Sequence, residues 1–379
     1  MITESLNRQI EALKQQGLYR QRLTSDESGR ALNFSSNDYL SLRNDKRIKS
    51  SFEKGFNKYP AGSGASVSVG GYHSIHQKLE QYVASQLGVD DALLFSSGYA
   101  ANLGIMALLT RLNCHLLIDK AVHASTYDGI KLANARYTRF WHNNYDDLSS
   151  KISSSLSGPS VVITEGIFSM SGQQPDLTKI ASLGSLHQSI CIVDEAHSFG
   201  VLGEDGLGAV HQHGLSQEEV PLRLITFGKA LGFQGALVAG KGAWIDGLFQ
   251  SSRSHLYTTA MSPAVTYGLL ESFIIMSKAN DRRKKLFQLI NHFQQTITKS
   301  PLCWRKSSTP IQQLQLGCPH KALHYAYLLK QNGIHCHAIR EPTVSRRETG
   351  LRIVLNFQHE EQDIDNLFHQ LHLIYESDH

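Results

Sequence analysis

Seven short apolar runs between residues 91 and 240 constrain the fold of this chain more than any other feature. The runs alternate with helix-like stretches and are apolar on both faces, which is typical of parallel strands covered by helices. The pattern predicts an α/β domain with a seven-stranded, mostly parallel sheet sandwiched by helices. The runs are DALLF (91–95), HLLID (115–119), RYTRF (136–140), SVVITE (160–165), ICIVDE (190–195), LRLITF (222–227) and GALVAG (235–240).

The pattern changes after Pro263. A long amphipathic helix is predicted over about 264–298, and shorter strand candidates follow, which together indicate a smaller C-terminal α+β domain. The strand candidates are IQQLQLG (311–317), IHCHAIR (334–340) and LRIVLN (351–356). We expect three parts: an N-terminal arm and helix over 1–40, a large α/β domain over 41–277 and a small domain over 278–379.

Composition restricts the class of protein. The chain of 379 residues is 41% hydrophobic and has a formal charge of only +4, which argues against nucleic acid as its main partner. No run of 18 apolar residues is present, so no membrane span is expected, and the polar, helix-prone N-terminus does not resemble a secretion signal. The five scattered cysteines form no CxxC pair and suggest reduced thiols in a cytoplasm.

Ligands of open α/β sheets bind beyond the carboxyl ends of the strands, so the residues that follow each run are candidates. Ser96 and Ser97 follow DALLF and precede Gly98, Tyr99 and a helix-like stretch. A turn at a helix N-terminus offers free N–H groups and a favourable dipole to a phosphate. Taken alone, the same residues also fit an ordinary N-cap turn.

Two histidines and a serine occupy similar positions. His123 follows HLLID and could stack on a flat ring or move a proton, although a surface loop also explains it. Ser169 follows SVVITE and could bind a ligand oxygen or simply form a turn. His197 lies three residues after Asp194, and no third ligand at metal-binding spacing accompanies them. The segment HSIHQKLE, residues 73–80, lacks the HExxH order and is interpreted as ordinary helix rather than a metal site.

Asp194 and Lys229 carry the strongest chemistry. An aspartate at the end of the strongly apolar ICIV run costs several kcal/mol unless it is paired or hydrogen-bonded. Lys229 follows LRLITF within TFGKALG, and lysine is rarely buried unless it is paired or used. Ala230 stands where a phosphate-binding loop requires serine or threonine, so that alternative fails, and no GxGxxG motif occurs.

One cofactor needs a phosphate cradle, a ring neighbour, an acid and a lysine at one sheet edge. Pyridoxal phosphate has an anion, a planar ring, a basic ring nitrogen and an aldehyde. Asp194 would keep the ring nitrogen protonated, because a carboxylate at about 4 Å and an effective dielectric near 20 contributes roughly 4 kcal/mol. That attraction corresponds to about three pKa units, enough to keep the ring an electron sink.

Several longer segments then reveal a family. DEAHSFGVLGEDGLG and TFGKALG, with NFSSNDYLSL near the start, resemble the α-oxoamine synthase family of fold type I pyridoxal-phosphate enzymes, in family order over nearly the whole chain. The resemblance implies that Lys229 is joined covalently to the cofactor aldehyde and that Asp194 pairs with its ring nitrogen. It also implies further cofactor contacts at Gly98, Tyr99, His123, Ser169, His197 and Thr226, and substrate contacts at Arg20 in the N-terminal helix, Asn37, His123, Thr343 and Arg352.

Within the family, LLFSSGYAANLGIMALL and LYTTAMSPA are most similar to the member that condenses L-alanine with a pimeloyl thioester in biotin biosynthesis. The resemblance further implies a homodimer. The carrier that forms the thioester with the pimeloyl group is coenzyme A or an acyl carrier protein. Two alternatives remain open: a sister enzyme that joins glycine or another amino acid to a different acyl-CoA, and a non-catalytic subunit. Gly70, Glu341 and Ser345 depart from the family pattern, which leaves the acyl-chain preference open.

Overall fold

The computed structural model describes residues 1–22, 24, 31–154 and 158–378. The strands are β1 (Leu32–Asn33), β2 (Asp91–Phe95), β3 (His115–Asp119), β4 (Tyr137–Phe140), β5 (Ser160–Glu165), β6 (Ile190–Asp194), β7 (Leu222–Thr226), β8 (Ala236–Gly240), β9 (Ile311–Gln315), β10 (Ile334–His335), β11 (His337–Ile339) and β12 (Gly350–Val354). The helices are α1 (Ile2–Gln15), α2 (Lys46–Lys58), α3 (Ser74–Leu87), α4 (Gly98–Arg111), α5 (Ala124–Ala133), α6 (Tyr145–Ser154), α7 (Leu177–Leu186), α8 (Gly208–Gln212), α9 (Gly242–Ser251), α10 (Arg253–Leu256), α11 (Pro263–Ser277), α12 (Asn280–Ile297), α13 (Pro319–Gln331) and α14 (Glu361–Ser377). No helix in these ranges has both the length and the apolar character needed to cross a bilayer.

The chain forms two compact units. The large unit comprises Leu40–Phe168 and Gln174–Arg283, and the small unit comprises Met1–Tyr39, Ser169–Gln173 and Lys284–His379. The N-terminal segment belongs to the small unit because β1 pairs in parallel with β10.

The large unit contains the predicted seven-stranded sheet, in the order β2-β8-β7-β6-β5-β3-β4. Neighbours from β7 through β4 are parallel, so the carboxyl ends of four successive strands, β7, β6, β5 and β3, lie side by side. Apolar residues of these strands and of α4, α5 and α9 form one buried core. The prediction of a mostly parallel, helix-covered sheet is therefore confirmed.

Two of the seven runs do not behave as fully covered parallel strands. β8 is antiparallel to both β7 and β2, because the nine residues 227–235 are too few for a parallel crossover. β4 is an edge strand, as β2 is on the opposite side of the sheet, and β4 exposes Tyr137 and Arg139. The apolar-run criterion therefore identified both strands but misjudged their surroundings.

The helix predicted over 264–298 is instead two helices, α11 and α12. The guanidinium of Arg283 donates to the carbonyl oxygens of Met276 (2.9 Å) and Ser277 (2.6 Å), which are among the last carbonyls of α11. A side-chain cap of this kind satisfies the unpaired carbonyls at a helix end. The charged run NDRRKKL therefore begins a new helix rather than continuing one.

In the small unit, β11-β12-β9 form an antiparallel sheet. The candidate strand 334–340 divides at Cys336, since β10 pairs with β1 while β11 pairs with β12. Two of the departures from the family pattern also find a local reason here and in the large unit. Ser345 and Glu348 form a capping box at residues 346–348, and Gly70 has φ of 122°, a conformation that favours glycine.

Glu80 stabilises the edge strand β2, which leads into the serine–glycine turn. Its carboxylate accepts the backbone N–H of Leu94 (2.9 Å) and the hydroxyl of Tyr72 (2.5 Å), and the residue is only 5% exposed. Burial raises the pKa of Glu80 to about 7. His76 bonds the backbone N–H of His73 and the carbonyl of Met261, so structural contacts account for the HSIHQKLE segment as expected.

We predict that Glu80→Gln flattens the pH dependence of stability. A carboxyl with a raised folded-state pKa favours folding at low pH, and its contribution is lost between about pH 4.5 and 7 as ionisation is forced on a buried group. The wild type should therefore lose up to about 3 kcal/mol relative to the variant across that interval. Urea midpoints measured from pH 5 to 8 test this, with exposed Glu53→Gln as the control. Parallel slopes for wild type and Glu80→Gln would contradict the assignment.

Candidate active site

The serine–glycine turn after β2 begins helix α4. Ser97 caps the helix by accepting the N–H of Ala100 (3.1 Å), and Gly98 is the first helical residue. A Cβ on Gly98 would lie 2.7 Å from Cγ2 of Thr226, so a larger residue would force the turn away from the end of β7. The absence of a side chain therefore keeps the helix N-terminus, a favourable anion site, close to the strand end.

Tyr99 lies on the same turn with its ring 46% exposed. Its hydroxyl donates to Oδ2 of Asp128 at 2.6 Å, and this bond to a carboxylate raises the pKa of Tyr99. The hydrogen bond holds the tyrosine against α5, the helix that begins after His123. A ring fixed in this way can act as an aromatic surface for a ligand.

Asp194 ends β6 and accepts a hydrogen bond through each of its carboxylate oxygens. Oδ1 accepts the N–H of Ala196 (2.9 Å), and Oδ2 accepts Nδ2 of Asn102 (3.1 Å). Each carboxylate oxygen has two acceptor positions, so the group can still accept a hydrogen bond from a protonated ring nitrogen. The buried His197 lies in the same turn, and the hydroxyl of Thr226, at the end of β7, bonds the carbonyl of Ala196 (3.4 Å).

Lys229 sits in the loop that joins β7 to β8. The loop is closed by hydrogen bonds from Phe227 N to Gly235 O (3.0 Å) and from Phe233 N to Phe227 O (2.8 Å). The carbonyl of Lys229 itself accepts the N–H of Gly232 (2.8 Å), and the residue is half-buried. The lysine is thus presented by a tight reverse loop at the sheet edge rather than sealed in the core.

His123 is solvent-accessible but lies among charged groups. Its backbone N–H donates to Oε1 of Glu165 (2.6 Å), the last residue of β5. Loss of water around the ring lowers the pKa of His123; Asp194 acts against this change, and Lys229 adds to it. The charges of Asp194 and Lys229, the acid and the amine predicted from the sequence, therefore both act on the imidazole of His123. The three groups lie near enough to one another to interact electrostatically.

Apart from His123, which is in the large unit, the predicted substrate residues belong to the small unit, as does Ser169. Arg352, on β12, is 6% exposed, and its Nε donates to the carbonyl of Ser169 at 2.7 Å. Its Nη2 is buried and has no hydrogen-bond partner in the described part of the chain. Burial lowers the pKa of Arg352, while the adjacent phenol of Tyr39 opposes that change. A buried guanidinium with an unused donor suits a carboxylate.

Asn37 joins this group through Tyr39, whose hydroxyl lies 3.4 Å from Asn37 Oδ1. Arg20 and Thr343 form a second pair, with Arg20 Nη2 donating to Thr343 Oγ1 at 2.9 Å. Arg20 is not in the N-terminal helix, contrary to expectation. Helix α1 ends at Gln15, and Gly17 with φ of 67° turns the chain into an irregular segment that carries Arg20.

The strand-end pattern does not identify three helical residues that contact the predicted set. Asn102 bonds Asp194, Ser125 bonds His123, and Asp128 bonds Tyr99. All three lie inside helices α4 and α5, beyond the turns that directly follow the strands. A helical spacing of three residues separates Tyr99 from Asn102, and Ser125 from Asp128, which puts each pair on one face of its helix.

The donor set fits pyridoxal phosphate. The large unit offers a helix N-terminus for the phosphate, an amine for the aldehyde, a carboxylate for the ring nitrogen and an imidazole beside them. Because residue 98 is a glycine, no side chain at this position covers the helix N-terminus where it lies close to Thr226.

Comparison with known proteins decides the family. The chain matches the family described as aminotransferase class I and II over residues 30–371. It is 36% identical to an 8-amino-7-oxononanoate synthase of Thioalkalivibrio sulfidiphilus, covering 97% of this chain and 96% of that protein. It is 39% identical to one of Alcanivorax borkumensis, covering 94% and 95%. This chain belongs to the family of the 8-amino-7-oxononanoate synthases.

Solved structures agree with that membership. A crystal structure of the 8-amino-7-oxononanoate synthase from Francisella tularensis has a TM-score of 0.80 and 31% identity, covering 92% of this chain and 99% of that one. Serine palmitoyltransferase from Sphingomonas wittichii has the same fold, with a TM-score of 0.89 at 23% identity over 97% and 95%. The predicted fold type I architecture and pyridoxal-phosphate dependence of the 8-amino-7-oxononanoate synthase family are confirmed.

We predict that Gly98→Ala weakens cofactor binding and that a second change restores it. The added methyl would meet Cγ2 of Thr226, whereas Thr226→Ser removes that methyl and keeps the hydroxyl. The single variant should bind pyridoxal phosphate about tenfold more weakly, equivalent to roughly 1.4 kcal/mol, and the double variant should recover most of that loss. Titration of cofactor absorbance measures both. Equal affinities for Gly98→Ala and wild type would show that the close approach has no role.

Proposed function

We propose that this protein condenses L-alanine with a pimeloyl thioester to give 8-amino-7-oxononanoate, carbon dioxide and a free thiol, in biotin biosynthesis. The observation that carries the proposal is the electrostatic influence of Asp194 and Lys229 on His123 at one sheet edge, in a chain that covers 96% of a relative bearing that enzyme's name. Pyridoxal phosphate, when bound, supplies the electron sink that makes the α-carbon of alanine nucleophilic.

The chain's own residues divide the remaining work. Asp194 holds the proton of the ring nitrogen, and its bonds to Ala196 and Asn102 keep the carboxylate oriented. Nζ of Lys229 takes the α-proton of alanine, which requires a neutral amine. Nearby positive charge and loss of water are the two effects that would lower the pKa of a lysine for that task.

His123 and Arg352 act on the two substrates. An imidazole with a lowered pKa remains neutral near pH 7 and can donate one hydrogen bond to the oxyanion that forms on the acyl carbonyl. The unused Nη2 of Arg352 suits the carboxylate of alanine, with Asn37 beside it through Tyr39. Arg20 and Thr343 are assigned to the acyl substrate, and Ser169 and His197 to further contacts with the cofactor.

The assembly and the donor also belong to this proposal. The family resemblance favours a homodimer, and either coenzyme A or an acyl carrier protein carries the pimeloyl group. Basic runs such as 43–49 and 281–285 suit the phosphates of either carrier, but ordinary structural or surface charge accounts better for most of these residues, since Arg283 caps α11.

We predict that Lys229→Ala abolishes the condensation while leaving the fold intact. Loss of the base and of the covalent attachment should lower kcat by at least about 10³-fold with alanine and pimeloyl-CoA. Product is measured by mass spectrometry, and exposed Lys330→Ala is the matched control. Turnover by Lys229→Ala at the wild-type rate would exclude the proposed role.

A substrate screen in the same assay separates the sister activities. Wild-type enzyme should prefer alanine to glycine, and pimeloyl to acetyl, succinyl and long acyl thioesters, by at least tenfold in kcat/KM. A preference for glycine with another acyl-CoA would favour a sister enzyme. Absence of both turnover and a visible cofactor band would favour a non-catalytic subunit. Parallel arms with coenzyme A and acyl carrier protein identify the donor.

A further inference from the structure

A continuous chain of hydrogen bonds joins His123 to Asp194 through Asn102 and Ser125. Nδ1 of His123 lies 2.8 Å from Oγ of Ser125, that oxygen lies 2.9 Å from Nδ2 of Asn102, and Nδ2 lies 3.1 Å from Oδ2 of Asp194. Ser125 and Asn102 are 1% and 5% exposed. Because water is excluded from the two middle members, they must satisfy one another in a defined order.

The direction of every hydrogen in this chain follows from the acid at its end. An ionised carboxylate can only accept, so the nitrogen rather than the oxygen of the Asn102 amide must face Asp194. The same NH₂ group has a second hydrogen, which is directed at Oγ of Ser125. Both amide hydrogens are therefore used, and Ser125 is an acceptor toward Asn102.

Ser125 then has one hydroxyl hydrogen left, and Nδ1 of His123 is its acceptor at 2.8 Å. The backbone N–H of Ser125 points to the same Nδ1 at 3.2 Å. A ring nitrogen that accepts hydrogen bonds from two donors cannot itself carry a hydrogen, because that hydrogen would point at the hydrogens of the donors. The remaining proton of the neutral ring must then be on Nε2.

We propose that Asn102 and Ser125 are positioning residues that hold His123 as the neutral tautomer protonated on Nε2, and that they tie this tautomer to the ionised state of Asp194. The carboxylate of Asp194, which keeps the cofactor ring charged, thereby also determines which nitrogen of the imidazole donates a hydrogen bond. Neither residue touches the reacting atoms, so each acts through His123 or Asp194.

This inference explains how one imidazole stays a donor among several charges. Asp194 and Asp128 favour the doubly protonated ring, Lys229 opposes it, and Glu165 holds the backbone N–H of His123. Protonation at Nδ1 would require the Ser125 hydroxyl to rotate and would leave the Ser125 N–H facing an N–H. The catalytic consequence, an Nε2–H aimed at the oxyanion, rests on the proposed function; the tautomer itself does not.

The test is ¹⁵N NMR of histidine-labelled full-length protein, with and without added pyridoxal phosphate. The His123 signals are identified by their loss in His123→Gln. We expect wild type to show an unprotonated Nδ1 and a protonated Nε2 at pH 7. A protonated Nδ1 in wild type would overturn the proposal, and the only variant that this measurement needs is folded His123→Gln for the assignment.

Variants then test the two positioning residues. Ser125→Ala removes the hydroxyl donor, so the pKa of His123 should rise by about one pH unit and the tautomers should mix. Asn102→Ala should shift the pKa in the same direction. Thr110→Val, which removes an α4 hydroxyl that donates to the Met106 carbonyl, is the control and should change neither quantity. An unchanged His123 signal in folded Ser125→Ala would contradict the proposal.

Activity distinguishes this inference from the proposed function. If Ser125→Ala binds cofactor normally and loses about tenfold in kcat with little change in KM for alanine, both stand. If wild type shows the expected tautomer but does not condense alanine with pimeloyl thioester, the proposed function fails and the positioning inference survives. If wild type condenses both substrates while Nδ1 carries the proton, the reverse holds.

Discussion

The carboxylate of Asp194 at the end of an apolar strand is the constraint on which the rest of the site depends. A charge in that position costs several kcal/mol unless donors and a cation compensate it. The protein meets the cost with the N–H of Ala196 and the amide of Asn102, which donate to the two carboxylate oxygens. Each donor also belongs to a segment that carries predicted site residues. The hydrogen bonds that stabilise the Asp194 carboxylate therefore also help to position the site.

The parallel sheet supplies the geometry for this solution. Because β7, β6, β5 and β3 are parallel neighbours, their carboxyl ends present Thr226, Asp194, Glu165 and Asp119 along one edge. The return of the chain through β8 gives the tight loop that carries Lys229, and the first residue of α4 must be small to reach the end of β7. The fold therefore concentrates chemistry where helix starts and strand ends meet.

Much of this arrangement could be predicted from the sequence because strands buried on both faces are unmistakable apolar runs. All seven strands of the sheet lie within the predicted runs, and Asp194 and Lys229 stood out because ionisable groups rarely follow such runs without a purpose. The residues at the strand ends indicated the cofactor, and the family resemblance then assigned a role to each of them. The roles of the individual site residues and the domain boundaries at 41 and 278 stay predictions.

The remaining features depend on contacts distant in the chain. The antiparallel course of β8 and the division at Cys336 are set by which strands pair, and apolar periodicity does not encode pairing. The break between α11 and α12 depends on Arg283 reaching back to two carbonyls. In the sequence, Asn102 and Ser125 look like ordinary helical residues. Only the structure shows that they form hydrogen bonds between Asp194 and His123.

The most direct test of this account is to find the lysine that carries the cofactor. Borohydride reduces a lysine–cofactor carbon–nitrogen double bond to a stable amine, which peptide mass spectrometry then locates. The account predicts a single modified peptide with the label on Lys229, in the segment TFGKALG. A label on any other lysine, or none on a protein that has bound the cofactor, would contradict it.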